Sequence, residues 1–351
     1  MLRTRLSAEY GLKTPFVSAG MGFIAMPPLV AAVSNAGGLG ILGPGAAPPT
    51  ALRHLVRATR ELTSRPFGVD FIIENTAFGP NTVEGHIDVC IEEKVPVVVF
   101  FWNMPPANWI ERLRSAGTRV WLQTGSPEGA REGVEAGMDV IVAQGAEAGG
   151  HNKSTVALFT LLPVIVDAVA PVPVVAAGGI ADGRGVAGAL ALGAEGVWVG
   201  TCLLASQEAN AHPEYKRRVL SAGASDIART SIFGPEWPDA PMRVIRNRVV
   251  REWEGRDSRT PPQPDPPQFI GTTQLGGEEY RLPKFSVLLA TPETEGDFEE
   301  MCLAAGESAG LVHQIKPAGQ IVRDMMREAE LIIRGRMAAL TTAAGGAPAT
   351  S

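Results

Sequence analysis

The stretch VPVVAAGGIADGRGVAGALALGAEGVWVGT (172–201) carries the pattern that decides the fold. It opens with an apolar, β-branched run, passes through a glycine turn and continues with Val, Ala and Leu at helical spacing. It then ends in a second apolar run. A strand, a helix and a second strand in this order form a βαβ unit with parallel strands. The stretch therefore predicts a parallel sheet covered by helices.

The same alternation extends upstream to about residue 15 and predicts eight strands with short connections. Their ranges are 15–21, 39–43, 67–73, 95–102, 119–125, 139–145, 172–179 and 196–204. Several of the intervening helices begin at residues that cap helices well, Asn81, Ser126 and Asp182. Eight such units favour a closed (β/α)8 TIM barrel over an open doubly wound sheet.

The chain has 351 residues, more than the roughly 250 that a barrel of this kind needs. We therefore expect the barrel core in residues 1–205 and a smaller, mainly helical segment, inserted after strand eight, in residues 206–316. That segment includes PPQPDPP (261–267), which prolines confine to an extended loop. Residues 317–340 predict a helix that packs on the barrel, and 341–351 predict a disordered tail.

Charge and cysteine content exclude several classes of protein. The net charge is −6, and no basic stripe with interleaved aromatic residues is present, so nucleic-acid binding is not expected. Three isolated cysteines, Cys90, Cys202 and Cys302, lack metal-ligand or disulfide spacing and predict reduced core residues. No long apolar run marks a signal peptide or a membrane span. We expect a cytoplasmic protein that binds no metal.

Ligands of a parallel barrel bind at the carboxyl ends of its strands, which directs attention to two glycine loops. Gly178 and Gly179 follow strand seven, and Gly200 and Thr201 follow the apolar core of strand eight. Glycines let backbone N–H groups approach a ligand closely, and these two loops are the usual phosphate site of the fold. The pair of loops predicts a bound phosphate.

A second loop predicts the reacting group. QGAEAGGH (144–151) follows strand six, and its small residues leave room for a planar ligand. His151 is the one histidine at a strand end beside glycines, and an imidazole can act as a general base near neutral pH. AGMGF (19–23), at the end of strand one, offers amides to the edge of a ring system. Trp102 and Met104 are candidate walls of an apolar pocket.

The motifs of other common enzyme classes are absent. The sequence contains no GxSxG, no GxxxxGK[ST] and no HExxH. Serine hydrolases, P-loop proteins and zinc proteases of the usual kinds are therefore excluded.

Taken together, five motifs resemble those of the nitronate monooxygenase (2-nitropropane dioxygenase-like) family of FMN-dependent barrels. They are AGMGF (19–23), QGAEAGGH (144–151), the segment 176–201, IRNRVV (245–250) and AGESAGLV (305–312). NADH:quinone reductases and flavin-containing enoyl-acyl-carrier-protein reductases are similar at the same motifs. The likeness covers nearly the whole chain.

The resemblance implies a set of FMN contacts. The phosphate would be held by Gly178, Gly179, Gly200 and Thr201, and the ring would meet a further set of residues. That set comprises Ala19, Gly20, Met21, Gly22, Asp70, Gln123, Ala148, Gly149 and Gly150. His151 matches the family's catalytic histidine. Residues after strand eight would cover the substrate, whose pocket would include Phe23, Trp102, Met104 and Lys153.

Two positions depart from the family pattern. The family's histidine is commonly followed by X-Gly, whereas Asn152 and Lys153 follow it here. The third strand usually ends in an Asn that contacts the flavin, and Asp70 takes that place. An ionised carboxylate accepts hydrogen bonds but cannot donate them.

The resemblance implies FMN-dependent oxidation of a nitronate, nitroalkane or related acidic C–H compound by dioxygen, with His151 as base. One alternative is an NAD(P)H-dependent FMN reductase of quinones or enoyl thioesters, and another is a non-catalytic flavin-binding barrel. A phosphate-substrate barrel without flavin is a third. The expected partners are a small-molecule substrate, dioxygen and, for the reductase, NAD(P)H. We expect a monomer or a homodimer.

Overall fold

The computed structural model describes residues 2–256, 259–275 and 277–342. Its central element is an eight-stranded parallel sheet in the order β1-β8-β7-β6-β5-β4-β3-β2. The strands are β1 (Phe16–Ser18), β2 (Gly40–Leu42), β3 (Phe67–Ile72), β4 (Val97–Phe101), β5 (Arg119–Thr124), β6 (Val140–Gln144), β7 (Val174–Ala177) and β8 (Gly196–Val199). A parallel bridge from Val17 to Leu39 joins the two edge strands. The predicted (β/α)8 barrel is confirmed.

A layer of helices surrounds the barrel. The first helix is α1 (Arg5–Glu9), and the helices after the first seven strands are α2 (Pro27–Asn35), α3 (Pro49–Leu62), α4 (Glu84–Glu92), α5 (Ala107–Ser115), α6 (Pro127–Glu135), α7 (Leu158–Val169) and α8 (Gly183–Ala191). Ser126 and Asp182 accept hydrogen bonds from amides in the first turns of α6 and α8, as predicted. Asn81 does not cap α4, which begins at Glu84; its backbone N–H instead donates to the carbonyl of Glu74.

Two hydrophobic cores pack against the barrel strands, one inside the barrel and one between the strands and the helices. Side chains that alternate along the strands, such as Val99, Val142 and Val175, pack inside it with Leu6 and Leu12 from the N-terminal segment. The indole of Trp121 donates to the hydroxyl of Tyr10 at 2.9 Å, which ties α1 and its flanking residues to the barrel interior. Alternate strand residues pack outward against the helices. Because the N-terminal segment fills one end, the other end is left for a ligand.

The strand boundaries at the ligand end differ from the prediction. Strand β7 ends at Ala177, because Gly178 and Gly179 adopt positive φ angles. Strand β8 ends at Val199, and Thr201–Leu204 form a short helix, α9. Residues of α9 are buried, so hydrophobicity alone could not distinguish that helix from a continued strand.

The segment after α9 is not mainly helical, which corrects the prediction. Its helices are α10 (Pro213–Ser221) and α11 (Arg248–Trp253), with two short 3-10 turns. Its strands are β9 (Ile227–Thr230), β10 (Met242–Ile245), β11 (Phe269–Leu275), β12 (Glu278–Pro283) and the pair Glu295–Gly296. Arg229 and Arg243 lie opposite each other in an antiparallel ladder whose other residues are largely buried.

The C-terminal part returns to the barrel. Helix α12 (Ala318–Leu331) packs against α2 and α8 and buries Ile321, Val322 and Met325. It continues through a π-helical stretch, Ile332–Met337, into α13 (Ala338–Thr342). The predicted disordered tail lies outside the described residues from 343 onward. The predicted domain limits remain a proposal.

Candidate functional site

A cavity of about 250 Å³ lies at the carboxyl ends of the barrel strands. All of the residues predicted to bind the cofactor line it, and so do His151 and Phe23. They come from the carboxyl halves of β3 and β5 and from the loops after β1, β6, β7 and β8, which lie far apart in sequence. Barrel closure is what brings these loops to one mouth. None of the described residues that line the cavity is Lys or Arg.

One side of the cavity is formed by the two glycine loops. Gly178 and Gly179 have φ angles of 107° and 70°, which glycine adopts without strain. Among the described residues, the amides of Gly178, Gly179, Gly200 and Thr201 have no backbone partner. The Thr201 hydroxyl accepts a hydrogen bond from the Gly306 amide at 3.0 Å and keeps its own proton to donate. This set of free donors suits an anionic phosphate.

The loop after β1 packs against the end of β3. The Met21 amide donates to the Ala19 carbonyl at 2.9 Å, which makes a tight turn. A Cβ on Gly20 would lie 2.2 Å from Cβ of Asp70, so only glycine allows this approach. The cavity wall at this point therefore consists of backbone from the AGMGF motif beside one carboxyl group.

That carboxyl group is poorly solvated. Oδ1 of Asp70 is buried and has no hydrogen-bond partner among the described residues. Burial raises the pKa of Asp70 well above its ordinary value, although a hydrogen bond from the Phe71 backbone opposes the shift. A raised pKa favours the neutral, protonated form of the carboxyl group.

His151 lies in a two-residue strand, Gly150–His151, which pairs with β10. Its ring stacks on Trp237, with centroids 3.9 Å apart and planes inclined by 29°. Trp102 approaches it edge-on at 5.8 Å. Burial among these groups lowers the pKa of His151 to about 3, so the imidazole is neutral at neutral pH. Its Nε2 is buried without a partner among the described residues.

The loop that carries His151 is held by its neighbours. The Gln144 side chain donates to the His151 carbonyl at 3.1 Å. Asn152 is fully buried, donates to the Gly145 carbonyl at 2.9 Å and accepts from the Ser154 amide at 2.8 Å. Asn152 thus braces the loop from within, whereas the residue that takes the place of the family's Gly is Lys153.

Trp237 is held in place by the residue before it. The Glu236 carboxylate accepts hydrogen bonds from the Ser286 hydroxyl at 2.7 Å and the Val287 amide at 2.9 Å. The Ala77 amide donates to the Glu236 carbonyl at 2.7 Å. These bonds fix the loop whose indole covers His151.

Three of the four residues predicted for the substrate pocket are not among the described residues that line the cavity. The backbone of Trp102 has a φ of 86°. Its indole N–H donates to the Glu74 carboxylate at 3.0 Å. Met104 packs at the edge of the outer core. Lys153 donates to the Trp102 carbonyl at 2.7 Å and lies 4.4 Å from the centre of the Trp102 ring. Phe23 alone of the four lines the cavity.

Sequence reasoning missed several cavity residues in the segment after β8. These are Tyr215, Glu236, Trp237, Met242 and Leu288 among others. Tyr215 is buried and donates its hydroxyl proton to the Ala304 carbonyl. Their positions depend on long-range packing, so no local periodicity marks them. The one available signal was Trp237 in a proline-rich loop, PEWPDAP (235–241).

The residues fit a phosphate-bearing flavin. The amides without a backbone partner suit its phosphate, and the loops 148–150 and 19–22 leave room for a flat ring. Two buried polar atoms that line the cavity, Oδ1 of Asp70 and Nε2 of His151, have no hydrogen-bond partner among the described residues. The flavin, when bound, supplies the electron transfer that no side chain here can perform. Among the described residues, no group of His, Cys, Asp or Glu is arranged to hold a metal ion. No described helix has the length and hydropathy needed to cross a membrane.

Comparisons with known proteins agree with this site. The model of the nitronate monooxygenase family matches residues 3–328. The "Probable nitronate monooxygenase" of Staphylococcus aureus (strain JH9) is 34% identical over 301 residues, which cover 75% of this chain and 83% of that protein.

Solved structures are similar over most of the chain. FabK from Thermotoga maritima has a TM-score of 0.79 at 35% identity and covers 97% of this chain and 100% of its own. The nitroalkane oxidase from Streptomyces ansochromogenes has a TM-score of 0.77 at 28% identity and covers 95% of this chain and 99% of its own.

The barrel and its site define a flavin-dependent oxidoreductase of the TIM-barrel class. The chain belongs to the nitronate monooxygenase family. The family expectation from the sequence motifs is thereby confirmed.

Proposed function

We propose that the protein binds FMN and uses it to oxidise an alkyl nitronate, or a closely related acidic C–H compound, with dioxygen. The observation that carries the proposal is the Nε2 atom of His151, which is buried in the same cavity as the two glycine loops and has no hydrogen-bond partner in the described ranges 2–256, 259–275 and 277–342. A phosphate held by those loops leaves the ring of FMN within the remaining cavity, which His151 also lines.

The electrostatics of the cavity favour a nitronate over a neutral nitroalkane. A pKa of about 3 makes His151 a weak base for taking a proton from carbon. A nitronate has already lost that proton, so its oxidation does not require a strong base. The negative charge of a bound nitronate would raise the pKa of His151 and favour the imidazolium beside it. No Lys or Arg lines the described cavity to offset that charge.

Oxygen uptake tests the proposal. Purified enzyme mixed with ethyl nitronate in air should consume dioxygen and release nitrite and a carbonyl compound. The variant His151→Asn should keep its flavin and lose most of this turnover, by about 100-fold or more, because Asn cannot supply the cation that stabilises the negative charge of a bound nitronate. Flavin-loaded enzyme that takes up no oxygen with any nitronate would contradict the proposal.

The likeness to FabK, at 35% identity over nearly the whole chain, favours a second candidate function. This is an NAD(P)H-dependent reductase of quinones or enoyl thioesters. Mixing the enzyme with NADH or NADPH without oxygen distinguishes the two. Rapid bleaching of the flavin would support the reductase, and a flavin that stays oxidised would support the nitronate enzyme.

A further inference from the structure

The carboxyl group of Asp70 is an unexplained polar group in the cavity wall. It lies in β3, where its backbone pairs with Val99 of β4, and it faces Gly20 of the loop after β1. Its Oδ1 is buried without a hydrogen-bond partner among the described residues. Leaving such an atom unpaired is costly, and a ligand in the cavity would remove the cost.

Within the part of the chain that the structure describes, no positively charged residue lines the cavity to stabilise an ionised Asp70. Its packed neighbours Gly20 and Val99 carry no charge. The other described titratable residues that line the cavity are His151, Tyr215 and Glu236. His151 is neutral at neutral pH, because burial lowers its pKa to about 3. Tyr215 donates its proton to a carbonyl, and Glu236 carries no positive charge.

The neutral acid has the hydrogen-bonding capacity that the site needs. A protonated carboxyl group has one O–H donor and a carbonyl acceptor, whereas an ionised carboxylate only accepts. The amide of Asn, the residue usual at this position in the family, also combines a donor with an acceptor. The burial that raises the pKa of Asp70 therefore gives the carboxyl group the donor that an ionised Asp would lack.

We propose that Asp70 binds the flavin ring as a neutral carboxylic acid and donates a hydrogen bond to it from the carboxyl hydroxyl. This inference rests on the proposed FMN site. A protonated Asp70 offers one donor and one acceptor, as the amide of Asn does. Replacing the family's Asn with Asp at this position therefore preserves the hydrogen bonds to the flavin.

Infrared spectroscopy of the flavin-loaded enzyme at neutral pH tests the protonation state. The spectrum of the wild type should contain the carbonyl stretch of a protonated carboxyl group, shifted by exchange into D₂O. The variant Asp70→Asn should lack that band. Asp167→Asn, which alters an exposed carboxylate on α7, should keep it. A wild type without this band, or a band that survives in Asp70→Asn, would overturn the proposal.

Flavin release on dilution tests the hydrogen bond. The dissociation constant, followed by the fluorescence of released flavin, should stay within about threefold for Asp70→Asn, because the amide keeps the donor. It should rise about tenfold for Asp70→Ala, which removes the donor. Equal dissociation constants for the two variants would overturn the proposal. If Asp70→Ala does not fold, the infrared comparison of the wild type with Asp70→Asn still decides.

These outcomes are separable from a failure of the proposed function. A wild-type protein purified without flavin would refute the FMN site itself. A flavin-loaded protein with an ionised Asp70 would refute this inference alone.

Discussion

The imidazole of His151 lies flat against the indole of Trp237, with 3.9 Å between their ring centroids. One face of the imidazole is thus covered, Trp102 packs edge-on against it, and Nε2 has no hydrogen-bond partner within the described part of the chain. The stacking contact joins a residue of the β6 loop to a residue of the segment after β8. A residue of the segment after β8 therefore contributes to the burial that lowers the pKa of His151.

Removing the indole should raise the pKa of the imidazole. In Trp237→Ala, water would reach His151, and its pKa should move from about 3 toward the ordinary value of 6.5. NMR titration of the imidazole protons measures the change. Trp253→Ala is the matched control, because Trp253 packs on Phe285 and does not line the described cavity. An unchanged pKa in Trp237→Ala would show that desolvation by the indole is not the cause.

Lys153 should stabilise the turn at Trp102. Its ammonium group donates to the Trp102 carbonyl and to Oδ1 of Asn103 at 2.8 Å, beside a residue whose φ is 86°. Lys153→Met keeps the apolar stem and removes these bonds, so we expect a loss of about 0.5–1.5 kcal/mol in the free energy of unfolding. Denaturant unfolding measures it, and Lys153→Arg should lose less. Equal stability of Lys153→Met and the wild type would exclude this role.

The glycine loop after β7 should be intolerant of a side chain. Gly179 has a φ of 70°, so Gly179→Ala forces alanine into a left-handed conformation and displaces the backbone amides of the loop that would bind the phosphate. We expect the flavin content of the purified variant to fall. Gly188→Ala is the control, because Gly188 lies in α8, an added Cβ there would meet open space, and alanine has the higher helix propensity. Full flavin occupancy in Gly179→Ala would contradict the assignment of this loop to the phosphate.

Stability should depend on pH through His151. The folded chain takes up this proton only near pH 3, whereas the unfolded chain takes it up near 6.5. The contribution of the neutral imidazole is therefore fully present above pH 6.5 and is lost as the pH falls toward 3. The melting temperature of His151→Asn should fall less than that of the wild type between about pH 7 and pH 5.

A second histidine provides the control for that comparison. His54 is exposed on α3, so His54→Asn should follow the wild type over the same pH range. If His151→Asn and the wild type lost stability in parallel, the imidazole would not be held neutral by the fold.

The barrel and much of its mouth could be predicted from local patterns. Apolar runs followed by helical segments mark each βα unit, and parallel barrels place all strand ends at one mouth. The loops with Gly20, Gly149 and Gly179 therefore had to meet once the fold was known. His151 was identified because it follows one of these strands beside glycines.

The segment after α9, which includes β9 and β10, could not be predicted in the same way. Strands β9 and β10 are short, carry Arg229 and Arg243, and are held by a ladder that includes His151 itself. Such pairing depends on contacts between distant parts of the chain, so a window of sequence does not record it. For the same reason the sequence did not indicate Trp237. Trp102 and Lys153 were predicted to line the pocket, but Trp102 binds Glu74 and Lys153 binds the Trp102 carbonyl.

The cofactor released from the freshly purified, heat-denatured protein tests the central claim most directly. The two glycine loops and the cavity beside His151 predict about one FMN per chain, identified by its absorption spectrum and its mass. A colourless protein, or one that releases a flavin without a terminal phosphate, would contradict the claim.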